Sequence, residues 1–381
     1  MKRLVVITLA GLLLLSIFST PAVAGRFHRG DIVKVMTRNQ YLGANLDPLI
    51  LADSLEEFFA AATDALNTIA ANNFPLRARR FATEVALTKP DLIGLQEVFD
   101  FKLNGKNFGP PFVNHLDVTL DALAAKGQNY VVAATVENLD ITIPIEGIGN
   151  VNVLDRDVIL VREGVHFTLL AGDYDLETGT GGLCGISVPP ALESMPSEDG
   201  CNYTIVAEVT SPVGPITIER GFVGVDATVR GKTYRFVNTH LEGADPAIIQ
   251  HLQAFELVET LNVTTPDDRP LILVGDFNSS PDDASDNPNV PYQLIVDSGF
   301  ADIWDTNLFR FFDPNGLTCC EDDDLLNRTS HLDERLDLIF MRETSFLPIA
   351  FVTGRVPIFP LNKPPNWASD HRGVFGRLIF R

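Results

Sequence analysis

The sequence predicts an α/β chain in which two sheets pack face to face and helices cover the outside. Three observations carry that expectation. Leu271 to Gly275 is an almost wholly apolar run that stops abruptly at Asp276-Phe277-Asn278, which reads as a strand buried on both faces. From residue 31 onward, strand-like runs alternate with segments of helical spacing. Between 203 and 238, strand-like runs follow one another across Pro or Gly turns, the pattern of antiparallel hairpins.

Taken in order, the chain begins with an export signal. Lys2 and Arg3 form its basic end, Leu4 to Phe18 its apolar run, and Ala22-Val23-Ala24 a small-residue cleavage site before Gly25. The apolar run is short for a membrane span, and an uncleaved anchor is the alternative. Residues 1–24 are thus read as a signal peptide and 25–381 as a single domain. Asp31 to Met36 is a strand running into Thr37-Arg38-Asn39. Residues 53–72 have helical spacing with Asp53 or Ser54 as N-cap, and 76–88 form a second helix that Pro90 terminates. Asp91 to Leu95 is a buried strand ending in Gln96-Glu97.

Residues 114–126 are helical, and Tyr130 to Val136 and Val158 to Val161 are strands. The Gly- and Pro-rich stretch 163–202 reads as surface loops. Strands follow at Tyr203 to Val209, Ile216 to Arg220, Phe222 to Val229 and Tyr234 to Asn238, then a helix over 246–262. A polar loop covers 281–291, and Leu336 to Met341 and Val374 to Phe380 are the last strands. There is no internal repeat and no low-complexity tract.

Composition bounds the function. Hydrophobic residues make up 45% of the chain, with 25 Phe, enough for a large core. The formal charge of −21 repels nucleic acid at long range, which lowers the weight of a nuclease reading without excluding it. Cys184 and Cys201 bracket a loop and suit a disulfide in an oxidising compartment. The adjacent Cys319 and Cys320 pair with each other, pair elsewhere or stay free. None of the four has zinc-site spacing.

Polar residues recur at the ends of separate strand-like runs: Asn39, Glu97, His240, Asp276 with Asn278, Asp337, and Asp370 with His371. Side-chain alternation puts Asp276 and Asn278 on one face at the mouth of their strand. Each residue also has an ordinary structural use; Asp337 can pair with Arg335, and His240 can be a satisfied core histidine. Shared placement at strand ends is not what independent structural use produces.

Together these residues resemble the endonuclease/exonuclease/phosphatase superfamily, which includes pancreatic-type deoxyribonucleases, apurinic endonucleases, inositol polyphosphate phosphatases and bacterial sphingomyelinases. The matching motifs are Thr37-x-Asn39, Gln96-Glu97, Asn238-Thr239-His240, Gly275-Asp276-Phe277-Asn278, Arg335-Leu336-Asp337-Leu338-Ile339-Phe340 and Ser369-Asp370-His371, in the family's order. The resemblance implies a four-layer αββα sandwich of two packed mixed sheets flanked by helices, with the site at one edge. It does not identify a substrate, because the core serves several substrate classes.

The chemistry asks for these residue types. A phosphodiester is anionic, so its hydrolysis needs charge neutralisation, an oriented water and a leaving group that can take a proton. By resemblance, Glu97 is the main ligand of Mg²⁺, with Mn²⁺ or Ca²⁺ as alternatives, and Asn39 and Asp370 stand in the same metal site. Asp276 orients or deprotonates the water, and Asn278 donates to a phosphoryl oxygen. His371, held by Asp370, contacts the phosphate. His240, supported by Asp337, is a donor or general acid near the leaving oxygen. Arg220 stands where nuclease members carry an arginine near the phosphate, a surface salt bridge being the alternative. Asp157 falls where pancreatic-type nucleases have a tyrosine that touches DNA, and an acid there would repel a polyanion.

The loop 307–312, NLFRFF, is an aromatic cluster outside any clear element. In bacterial sphingomyelinases exposed aromatic loops enter the membrane surface; the favoured reading here is that Phe309, Phe311 and Phe312 cap the core. The expectation is therefore an exported, metal-dependent hydrolase of phosphate esters, a phosphodiesterase acting on a phospholipid head group or other small phosphodiester. Its partners are that substrate and a transient contact with a membrane surface, with no obligate protein partner. A secreted endonuclease acting on DNA or RNA is the alternative. A non-catalytic binding protein on the same fold is the other, but it would normally lack a core residue, and none is missing.

Overall fold

All the strand ends that carry the polar motifs lie along one edge of two stacked sheets. The computed structural model describes residues 32–145, 147–189, 191–244, 246–283, 290–342, 345–357 and 366–380. The export segment and part of the 281–291 loop lie outside the described residues. No helix among the described residues is long and apolar enough to cross a membrane.

The first half of the chain builds one sheet. Its strands are β1 (Ile32–Asn39), β2 (Leu92–Gln96), β3 (Asp100–Leu103), β4 (Lys106–Asn107) and the long hairpin β5 (Tyr130–Ile145) and β6 (Gly149–Arg162). Between them lie helices α1 (Asp47–Ile50), α2 (Leu55–Asn72), α3 (Phe74–Thr88) and α4 (His115–Ala124). Ser54 caps α2 by accepting the Glu57 amide at 3.2 Å. Asn73, in the left-handed conformation, ends α2 and caps α3, so two helices meet at one residue.

After β7 (His166–Leu169) come short strands β8 (Tyr174–Asp175), β9 (Thr180–Gly181), β10 (Ser187–Val188), β11 (Leu192–Glu193), β12 (Met195–Ser197) and β13 (Gly200–Asn202). The hairpins β14 (Ala207–Ser211) with β15 (Gly214–Ile218), and β16 (Gly221–Val229) with β17 (Lys232–His240), precede α5 (Ala247–Thr264). The chain closes with β18 (Leu271–Asp276), β19 (Ala301–Asp302), β20 (Asp337–Arg342), β21 (Phe346–Val352) and β22 (Val374–Phe380).

The first sheet has the order β21-β22-β1-β2-β6-β3-β4, with β5 also on β6. The second runs β12-β13-β16-β17-β18-β20-β19, with β7 on β16. The pairs β1–β2 and β17–β18 are parallel within otherwise antiparallel sheets, so both sheets are mixed. β18 shows why its sequence is a continuous apolar run. Ile272 and Val274 pack between the sheets with Val35 and Ile159, while Leu271 and Leu273 face α5 through Leu257 and Leu261. On the other side α3 and α4 cover Met36, Ile93 and Leu160. The four layers are those expected.

Several expectations need correction. The 130–136 and 158–161 runs are parts of a much longer hairpin, whose outer half includes Pro144, a residue that argues against a strand interior. The strand β21 and a short helix, Pro291–Asp297, were not anticipated. The stretch 163–202 is not simply surface loop: Leu170, Leu183, Ile186, Val188 and Leu192 are buried, and Cys184 is bonded to Cys201 across a Cα separation of 5.5 Å. Cys319 is bonded to Cys320. Phe309, Phe311 and Phe312 do not cap the core but stand 46%, 73% and 74% exposed.

Helix α5 anchors the irregular stretch with polar rather than apolar groups. Gln253 Nε2 donates to Ile205 O at 2.9 Å, and Glu256 accepts the Thr204 amide at 3.0 Å and its hydroxyl at 2.9 Å. Burial pushes the Glu256 carboxyl up to about 7, despite those two donors. Its affinity for a proton is therefore higher in the folded chain than in the unfolded one. The resulting stability is present in full below the unfolded value near 4.5 and is lost as pH rises through about 7. Glu256→Gln should flatten that decline in thermal unfolding midpoints measured from pH 4.5 to 8; an unchanged slope would contradict the assignment.

Candidate active site

The site is assembled by sheet register. In the second sheet His240 pairs with Asp276, and Asp276 with Asp337, so three strands end side by side. In the first sheet Asn39 pairs with Gln96, which places Glu97 one residue beyond. Ser369-Asp370-His371 enters from the turn before β22. A cross-sheet bridge joins the two halves. Asn238 Nδ2 donates to Leu95 O at 2.9 Å, and Gln96 Nε2 donates both to Asn238 Oδ1 and, at 3.1 Å, to Thr37 Oγ1. The bridge needs Gly94, where a Cβ would lie 2.5 Å from Asn238 Oδ1.

Asp276 is the hub. Its Oδ2 accepts from Asn39 Nδ2 at 3.0 Å and lies 3.5 Å from His371 Nδ1 and 3.7 Å from His240 Nε2. Its Oδ1 accepts the Asn278 amide at 3.0 Å. That last contact corrects the expected alternation. β18 ends at Asp276, and Asn278 adopts a left-handed φ of 47°, so an Asx-type turn, not strand pleat, brings the two side chains together. Glu97 also has a left-handed φ, 56°, which is uncommon for a residue with a side chain and recurs at functional sites.

The two histidines have different partners from those expected. Asp337 does not support His240; its Oδ2 holds His371 Nδ1 at 2.8 Å. Asp370 does not hold the His371 ring but accepts its backbone amide at 2.9 Å. Burial alone would lower the His371 pKa, but the Asp337, Asp276 and Asp370 carboxylates outweigh it and hold the ring well above its ordinary value, as an imidazolium. His371 Nε2 lies 3.5 Å from Cys319 Sγ, so the vicinal cysteine pair walls this side of the site.

His240 is the opposite case. Burial, then the charges of Arg220 and His371, push it well below its ordinary value, so the ring is neutral. Arg220 Nη1 lies 3.1 Å from His240 Nδ1. An arginine can only donate, so Nδ1 accepts and the ring proton sits on Nε2, 3.7 Å from Asp276 Oδ2; Asn278 Nδ2, which donates to Leu241 O at 2.9 Å, lies 3.2 Å from the same nitrogen. Arg220 is thus not an exposed surface ion pair. It is mostly buried and divided among His240, Glu242 at 3.4 Å and Asp155 at 3.8 Å.

Asp157 needs a similar correction. It is fully buried, and burial with the neighbouring Asp155 charge keeps its carboxyl well above the usual range. It presents no charge to a polyanion, so the repulsion expected of it does not operate. Asp155, which sequence reading missed, is pushed by burial to about 7 and contacts Arg220. Its signal was the two-residue spacing from Asp157 on one strand face. Arg77 was also missed: buried on α3, it donates to the Gln40 and Tyr41 carbonyls at 2.6 and 3.0 Å and so fixes the turn after Asn39.

For a cation, the residues that fit are Glu97 and Asp370, half-buried at the solvent side of the cluster. Burial, then the Glu97 charge, pushes Asp370 up to about 7, and a divalent cation between them would relieve that repulsion. Both are hard oxygen donors of the kind magnesium takes. Asn39 stands beside them and bridges the cluster. Its NH₂ donates to Glu97 at 2.9 Å and to Asp276, and its carbonyl accepts the Tyr41 amide at 2.8 Å. Glu97's other oxygen accepts the Leu42 amide at 2.8 Å. Asp276, Asp337 and His371 also have ligand atoms within 4.8 Å of one another, but there the His371 cation already supplies the positive charge.

The profile of the Endonuclease/Exonuclease/phosphatase family matches residues 66–371, a stretch that contains every site residue except Asn39. No curated protein matches the chain in sequence. Among solved structures, an endonuclease/exonuclease/phosphatase family protein of Bacteroides thetaiotaomicron is similar at TM-score 0.51 and 18% identity, over 93% of this chain and 100% of its own. A mannosyl-6-phosphatase of the same organism is similar at TM-score 0.51 and 17% identity, over 91% and 100%. A humanized D. rerio TDP2 reaches TM-score 0.48 at 15% identity, over 91% and 99%. At such identities the first two likenesses show the fold alone. Members of the family are phosphate-ester hydrolases that generally use divalent metal ions. With its profile matched over most of its length and its motifs gathered at one sheet edge, the chain belongs to the endonuclease/exonuclease/phosphatase family.

Proposed function

We propose that the protein is an exported, Mg²⁺-dependent phosphodiesterase acting on a phospholipid head group or other small phosphodiester rather than on nucleic acid. The observation that carries the reading is the convergence of Asn39, Glu97, His240, Asp276, Asp337 and His371 on one cluster, four of them from strand ends and Glu97 and His371 from the turns beside β2 and β22. Glu97 and Asp370 would hold the metal, and Mg²⁺ there would neutralise charge on the phosphoryl oxygens. Burial raises the Asp276 proton affinity above that of an ordinary aspartate, which suits it to take a proton from water. Asn278 Nδ2 and His240 Nε2–H stand side by side as two donors for phosphoryl or leaving-group oxygens. The His371 imidazolium, held by Asp337, stabilises the charge that builds on the phosphoryl group. Arg220 acts through His240 by setting its tautomer.

The net charge of −21 favours a small ester over a nucleic acid. The test is a panel of bis-p-nitrophenyl phosphate, p-nitrophenyl phosphate, plasmid DNA and sphingomyelin, each with and without EDTA. The diester and the lipid should turn over only without chelator. Nicking of plasmid as the sole activity would move the reading to a nuclease, and no metal-dependent turnover by folded protein would make it a binding protein. Export predicts a mature N-terminus at Gly25, read by mass spectrometry of secreted material; an intact Met1 contradicts it.

A further inference from the structure

Asp157 and Asn138 take no part in that mechanism, and Asp155 enters it only through Arg220. Asp155 and Asp157 leave the same face of β6, and both are buried, at 3% and 0% exposed. Val136, which pairs with Asp157, packs against Gly221 of the second sheet, so that face looks into the interior between the sheets. Between Glu137 and Leu139 the β5–β6 register shifts, and Asn138 is the residue that the bulge inserts. Its side chain is fully buried and lies beside Asp157.

Five polar atoms of this group make no hydrogen bond of ordinary geometry among the described residues: both oxygens of Asp157, Asp155 Oδ1, and Asn138 Oδ1 and Nδ2. Buried polar atoms are seldom left so. Four of the five are oxygens, and the neighbouring cation serves only one edge of the group. Arg220 Nη1 lies 3.8 Å from Asp155 Oδ2, and the rest of that guanidinium is taken by Glu242 and His240. A water offers two protons, too few for four acceptors, and it brings no charge. Carboxylates and an amide carbonyl are the oxygens that hold a hard cation. Such an ion would also take the place of the proton that burial keeps on Asp157.

We infer that Asp155, Asp157 and Asn138 form a calcium site buried between the sheets, apart from the catalytic metal position. Calcium fits better than magnesium, because a site this enclosed strips the ion of most of its waters, which magnesium gives up reluctantly. Glu97 does not close up with the two aspartates into one ligand group within 4.8 Å. The bound ion ties the β5 bulge to β6. It also fixes Asp155, and through it the Arg220 that sets the His240 tautomer.

The test uses metal-stripped protein carrying Glu97→Ala and Asp370→Ala, which removes both proposed ligands of the catalytic metal. Calorimetric titration with CaCl₂ should still show calcium binding, and the thermal unfolding midpoint should rise with calcium concentration. Adding Asp157→Asn should weaken that binding by more than about tenfold and abolish the rise, because a ligand charge is lost. Asn is close in size to a protonated Asp, so the calcium-free midpoint should stay near that of the parent. No calcium bound by the parent, or binding that Asp157→Asn leaves unchanged, overturns the site. A rise with MgCl₂ equal to that with CaCl₂ overturns the assignment of calcium. Should Asp157→Asn not fold, crystals of the wild-type protein soaked in SrCl₂ locate the ion by its anomalous scattering. A peak among Asp155, Asp157 and Asn138 supports the site, and water density alone contradicts it.

Discussion

Asp276→Asn should lower kcat on a phosphodiester by about 10³-fold in a protein that still folds, a loss within the range that general acid–base groups supply. The side chain is 1% exposed; its Oδ2 receives the Asn39 NH₂ and its Oδ1 the Asn278 amide, so the single oxygen of an Asn keeps one of the two donors and the other bond is lost. What the substitution removes is the carboxylate charge beside His371. Burial and the Asp337 charge raise its proton affinity, with the His371 charge opposing them, so the group is tuned as an acceptor. Stopped-time assays at saturating Mg²⁺, with thermal unfolding as the control for structure, measure the effect. A loss under tenfold would mean that water is activated elsewhere.

His371→Gln should cost about 10²-fold or more in kcat, the scale seen when a transition-state donor is lost. Asp337→Asn should cost nearly as much, because Asp337 acts chiefly by holding His371 Nδ1. The double variant should then be no worse than His371→Gln alone. Groups that work as one unit are grossly non-additive, whereas independent ones multiply. This cycle also tests the corrected pairing. Had Asp337 served His240, its effect would instead merge with that of His240→Gln and multiply with that of His371→Gln.

Much of this architecture was legible in the residues, and the parts that were not share a cause. The apolar run 271–275 and the polar punctuation after it revealed β18, because a strand buried on both faces leaves no alternation to misread. The placement of Asn39, Glu97, His240, Asp276, Asp337 and His371 at strand ends was enough to collect them. Which carboxylate serves which histidine was not legible, since that depends on sheet order and on the angle at which the 366–371 turn enters. A surface salt bridge stayed open for Arg220 because its three partners, Asp155, His240 and Glu242, lie on different elements. The buried stretch after 163 was hidden by its Gly and Pro content; its order comes from a disulfide and from polar anchors on α5. Asp157 shows the same limit, since an acid in a strand reads as exposed until burial is known.

In the proposed mechanism one cluster combines a metal position at Glu97 and Asp370 with a separate charge-stabilising position at His371. Initial rate against Mg²⁺ concentration for wild type, Glu97→Ala and His371→Ala tests it most directly, with calorimetric Mg²⁺ binding alongside. Glu97→Ala should shift the half-maximal Mg²⁺ concentration upward and recover part of its activity at high Mg²⁺. His371→Ala should bind Mg²⁺ nearly as wild type does and stay slow at every concentration. Rescue of His371→Ala by added metal, or a wild-type titration for Glu97→Ala, would contradict the account.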